Sequence, residues 1–225
     1  MYQKYAGAVR KKIRTFLRPY KEFAGLSIPA ECGFFTWLGI NLKTVLNCKK
    51  SLPKQYFWAG ELLAAGIQQH ASIKHTHGPD AVRILAADMM LSQAWKIIYR
   101  HKDDRFTDLF STQSAAAIYG RIQLLADVRQ PAQADMIKAG ALFRLPLLLY
   151  LHIEAIDLSK RNLYGKVFAL AAAVRFYLNK KKSAHAGQKL KQVTALLQHE
   201  TEGGREKRLF AFIKKQIIEP LKITQ

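Results

Sequence analysis

The sequence predicts an all-α fold in a single domain, on three observations. Apolar residues recur every three or four positions in one segment after another. The breaks between segments carry proline, glycine or short polar runs. No stretch alternates with period two for long enough to build a sheet. With 225 residues and 49% hydrophobic side chains, the chain can bury a substantial core.

From Tyr2 to Leu17, the set Tyr2, Tyr5, Val9, Ile13 and Phe16 alternates with Lys4, Arg10, Lys11, Lys12 and Arg14. This is an amphipathic basic helix that ends at Arg18-Pro19, because the residue before proline is pushed out of the helical region. It is expected to pack its apolar side on the core, the competing expectation being that it lies on a membrane surface. After Pro29 a second helix is predicted through Phe34, Leu38, Leu42 and Val45, stopping in the lysine-bearing turn from Asn47 to Pro53.

The next two helices are the centre of the chain. Trp58, Leu62, Ala65 and Ile73 mark the first, and Thr76-His77-Gly78 interrupts it. Pro79-Asp80 starts the second, since proline fits a first helical turn and an acid there faces the positive end of the dipole. Its expected apolar faces are Val82, Leu85 and Met89, and Ile84, Leu91, Trp95 and Ile98. Both helices are expected to be largely buried, and into this buried pair the sequence sets Glu61, His70 and Asp88, polar groups that are costly without partners.

The run His101 to Asp108 reads as a loop and a helix N-terminus rather than a magnesium site, because Lys102 and Arg105 interrupt its acids. A helix over 108–130 follows, through Ala115-Ala116-Ala117, Ile118, Ile122 and Leu125, and Gln130-Pro131 closes it. Another is expected from about 134 to 158 on Ile137, Ala141, Leu145, Leu148, His152 and Ile156, kinked at Pro146. Three more span Leu163 to Asn179, 186–200 (Leu190, Val193, Leu197) and 205–219 (Leu209, Phe212, Ile213, Ile217).

Two short runs in this frame carry a resemblance. His70-Ala71-Ser72-Ile73-Lys74-His75, at the end of one helix, and Leu85-Ala86-Ala87-Asp88, in the next, are similar to the centre of the trans-polyprenyl diphosphate synthases. In that family a His-Asp-Asp-x-x-Asp motif ends the first helix and a Leu-Ala-Gly-Asp run lies in the second. The chain resembles, within that family, the non-catalytic small subunits of heteromeric enzymes of the heptaprenyl diphosphate synthase component I type. The resemblance implies an isoprenoid-synthase-like helical bundle, with 1–54 as basic N-terminal helices, 55–180 as the synthase-like core and 181–225 as basic C-terminal helices.

It also implies which functional groups are missing. Ala71, Ser72 and His75 stand where the first motif has aspartates, and Ala173 to Lys180 matches the family's Gln-x-x-Asp-Asp-x-x-Asp pattern with Phe176, Tyr177 and Lys180 in place of its acids. The Gly-Lys-x-Arg-Pro motif expected near Lys49, Lys50 and Lys54 is absent. Lys138, in a segment resembling the family's Lys-Thr-x-x-Leu, is the one diphosphate contact expected to survive. Ionising an allylic diphosphate needs magnesium held by two carboxylate clusters on the departing group. The chain alone is therefore expected to bind no cofactor and not to turn over, magnesium sitting on an aspartate-rich catalytic partner in a heterodimer or heterotetramer. That pair would make the long-chain side chain of menaquinone.

Other chemistry is weaker. His70, His75 and His77 lack metal-ligand spacing, and Ser72 and Ser92 lack any nucleophile elbow. Cys32 and Cys48 are expected to remain thiols in the cytosol, where the absence of a signal-like start places the chain. The formal charge of +20 concentrates at the two ends, 11 Lys/Arg against 2 acids in residues 1–54 and 11 against 4 in 180–225. Such ends suit an acidic partner subunit, the inner face of an anionic membrane or, as the rival function, nucleic acid. Nucleic acid is disfavoured because no helix-turn-helix of ordinary length is present.

Overall fold

The computed structural model describes residues 3–29, 32–70, 72–73, 79–126, 141–179, 183–198 and 204–218. Among them every regular element is helical, as the sequence predicts. The helices are α1 (Gln3–Leu17), α2 (Phe34–Val45), α3 (Lys54–His70), α4 (Pro79–Arg100), α5 (Asp104–Ala126), α6 (Ala141–Ile153), α7 (Leu158–Asn179), α8 (Ser183–Gln198) and α9 (Gly204–Phe212). A 3₁₀ turn at Lys21–Phe23 follows α1, and a π-helical turn at Ile213–Ile218 continues α9.

The chain resolves into two compact units, Met1–Ile40 with Leu52–Ser114, and Asn41–Ser51 with Ala115–Gln225. In the first, α3 and α4 pack along one another. Their approach depends on small residues: a Cβ on Gly66 would lie 2.9 Å from the Leu91 side chain and 3.1 Å from the carbonyl of Ala87. Helix α1 buries Ala6, Ile13 and Leu17 and turns Lys11 and Arg14 outward, which is the core-packing outcome. Lys12 lies over the Trp58 ring, 4.3 Å from its centroid, so its stem and charge both cover α3. Tyr56 sits fully buried in an aromatic cluster with His101, Phe106 and Phe110 at centroid distances of 4.7–5.7 Å.

In the second unit, α6 packs on α7, and α7 on α8 and on the π-helical turn. Its core draws on Leu145, Leu149, Tyr150, Tyr164, Phe168, Val193, Leu209 and Ile213. The last turn of α2 belongs here. Arg208 donates from Nε to the Val45 carbonyl at 3.0 Å, satisfying an oxygen that has no helical partner at a C-terminus. Beyond it the chain reverses through Asn47 at φ 51°, a left-handed position that asparagine tolerates.

Several helix starts lie earlier than the apolar pattern predicts, and in two of them a carboxylate explains the difference. Asp103 accepts the backbone N–H of Phe106 at 3.1 Å, starting α5 at Asp104. Asp157 accepts the N–H groups of Ser159 and Lys160, starting α7 at Leu158 rather than Leu163. The apolar face of α4 also differs. Ala86, Ala87, Met90, Ala94 and Ile98 are buried, while Leu85 is 58% exposed. On α5, Phe110, Gln113, Ser114 and Ala117 are buried, whereas Ile118 and Ile122 face out. Helices with apolar residues all round do not announce which face is inside, and close approach selected the small one.

Candidate functional site

The place to build the site is the C-terminal end of α3, where the first motif falls. Ten residues of this helix are buried, so the helix is held firmly up to its last turn. Part of that hold is Glu61, only 1% exposed. Its carboxylate accepts the N–H of Gly33 at 2.8 Å and of Thr36 at 2.7 Å. These amides open α2, so a side chain from α3 stands in for the missing N-cap of its neighbour. Gly33 takes φ 91°, a conformation that disfavours side chains, and its Cα faces the backbone of Tyr5 and Ala6 too closely to admit one. Burial pushes the Glu61 carboxyl above its ordinary 4.5, while the two amide bonds pull it back in part.

Nine residues further on, α3 ends at His70. His70 Nε2 lies 2.8 Å from Oδ1 of Asp88 on α4. The two side chains are 37% and 58% exposed. The expectation that His70 and Asp88 lie within a buried pair is therefore corrected. Both stand at the edge of the helix pair and satisfy one another there. Solvent limits the pair to about 0.2–1 kcal/mol.

The turn that follows is closed by Ser72, whose hydroxyl donates to the Gln69 carbonyl at 2.7 Å. Gln69 donates in turn from Nε2 to the Ser27 carbonyl at 2.8 Å. Ser72 is thus a helix-end hydroxyl bonded to backbone. Of the residues at the two aspartate-rich motif positions and the expected diphosphate contact, His70 and Ser72 are the two whose side chains are described. Ala71, His75, Lys138 and Lys180 lie outside the described residues, and so do the side chains of Phe176 and Tyr177, although both belong to the last turns of α7. Just before them, Ala173 and Val174 are buried.

Magnesium prefers about six oxygen ligands, typically one or two carboxylates with water and phosphate oxygens. The described groups at the end of α3 do not match that demand. Asp88 is the one carboxylate there, and an imidazole occupies it. Among the described residues no three His, Cys, Asp or Glu side chains come together as a metal site. None of the described helices is long and apolar enough to cross a membrane. What this arrangement does chemically is fasten the last residue of α3 to α4.

Sequence reasoning overlooked what Glu61 does. The signal was Glu61 within a run of apolar residues, but the amides it serves lie 25 and 28 positions earlier.

No family model matches the chain, and no curated relative matches it. Solved structures do. A geranyltranstransferase from Thermotoga maritima aligns with a TM-score of 0.66 and 16% identity, over 97% of this chain and 99% of that one. An isoprenoid synthase family member from Thermotoga neapolitana aligns with a TM-score of 0.61 and 14% identity, over 94% and 98%. The chain thus has the all-α fold of the isoprenoid synthases along nearly its whole length.

Proposed function

We propose that this chain is the non-catalytic subunit of a heteromeric long-chain trans-polyprenyl diphosphate synthase. One observation carries the reading: an isoprenoid synthase fold over 97% of the chain combined with the sequence His70-Ala71-Ser72 where the fold's diphosphate chemistry calls for carboxylates. A scaffold of that kind, without carboxylate ligands for magnesium at either motif, has no means to neutralise the leaving diphosphate. Its use is then to complete or order the apolar cavity of a subunit that has them. The partner supplies the aspartates and the magnesium, and the pair extends an allylic diphosphate by isopentenyl units, in this reading toward the side chain of menaquinone.

The exposed stripe of α4 supports a partner contact. Leu85, Asp88, Ser92, Lys96 and Tyr99 fall on one helical face, and its two large side chains, Leu85 and Tyr99, are 58% and 63% exposed. A second outward apolar group, Ile118, Tyr119 and Ile122, lies on α5. An aspartate-rich synthase subunit from the same cell should co-purify with this chain, and Leu85→Asp should weaken that association at least about tenfold, since a charge buried unpaired at an interface is costly. A chain that purifies alone at every salt concentration and adds nothing to the partner's turnover would exclude this function.

A further inference from the structure

We infer that the outer face of α1 is a docking surface for anionic phospholipid. The helix contains no Asp or Glu. Lys11, Arg14 and Arg18 are exposed and follow at intervals of three and four, a line roughly 10 Å long on one face. Lys21, also exposed, continues it past Pro19. Among the described residues no carboxylate pairs with any of these four side chains. Lys12 is set apart from the line by its seat on Trp58.

The kind of partner follows from the rest of the helix. Its apolar side is already used, with Ala6 and Ile13 fully buried and Leu17 nearly so. The helix therefore presents cations to a surface and has no free apolar face to insert, which is electrostatic adsorption rather than embedding. Nucleic acid fits less well. Between Gly7 and Arg18 the exposed face has no aromatic side chain on which a base could stack. Tyr20 is exposed between Arg18 and Lys21, the pairing of an amphipathic ring with basic residues that suits the headgroup layer. The preference for lipid also rests on the proposed function, because a polyprenyl product is itself soluble in membrane.

The test is sedimentation of the full chain with vesicles containing about 30% phosphatidylglycerol in phosphatidylcholine at about 0.1 M salt, which needs neither a partner nor turnover and so can fail independently of the proposed function. Binding is expected to anionic vesicles, to be lost by about 0.5 M salt, and to be absent with phosphatidylcholine alone. Lys11→Glu, Arg14→Glu and Arg18→Glu together should lower binding at least about tenfold, and the milder changes of all three to Gln by a smaller factor. Three exposed lysines elsewhere, Lys96, Lys166 and Lys191, changed together to Glu should lower it less than about threefold, and circular dichroism should show all variants folded. Equal losses from the two triple reversals, binding to neutral vesicles, or displacement from anionic vesicles by duplex DNA at matched charge would overturn the assignment.

Discussion

The middle and the end of α3 handle polar groups in opposite ways. At its centre, Glu61 is sealed from water and holds two backbone amides that open α2. At its finish, His70 meets Asp88 in a setting open to solvent. The buried carboxylate is architecture, expensive to disturb because its amides have no other acceptor. The exposed pair is cheap in stability, since solvent screens it. Energetic weight is therefore unevenly distributed along one helix.

That contrast breaks most readily at Glu61. Glu61→Ala should cost about 2–5 kcal/mol in urea unfolding, because two buried N–H groups lose their acceptor. A cost under 1 kcal/mol would mean that water reaches those amides. The same group sets a pH dependence. Its folded pKa lies above the unfolded value, so the stability it brings is complete below about pH 4.5 and declines as pH rises through the raised value. Glu61→Gln should flatten that slope, as unfolding curves collected across the acid range will show.

A smaller effect is expected at Gly66. Gly66→Ala forces Leu91 and the Ala87 carbonyl aside and should cost about 1–3 kcal/mol, read as a lower midpoint of thermal unfolding. At the other pole of the comparison, His70→Ala or Asp88→Asn should cost no more than about 1 kcal/mol by denaturant titration. If either cost rivals that of Glu61→Ala, the pair at the end of α3 is structural after all.

The pattern of apolar residues was enough to read the helical class, the breaks at Pro19, Asn47 and Pro79 and the burial of α1. It misled wherever a helix is apolar on several sides. On α4 the large Leu85 looked like core, yet the helix turned Ala86 and Ala87 inward, because only small side chains let Gly66 come so close. The helix start at Leu158 was hidden because its capping carboxylate precedes the apolar pattern, whereas the acids of the run 101–108 were legible as a helix N-terminus. The partners of Glu61 were beyond reach for a different reason, since they depend on tertiary contact across more than twenty residues. The pairing of His70 with Asp88 required coordinates, because nothing in the sequence says which face of α4 meets the end of α3.

The central claim is that this scaffold cannot ionise a diphosphate by itself. Incorporation of labelled isopentenyl diphosphate into long-chain product, measured with magnesium for the chain alone, the aspartate-rich partner alone and their equimolar mixture, tests it most directly. The account predicts product from the mixture and none from the isolated chain. Magnesium-dependent product from the isolated chain would contradict it.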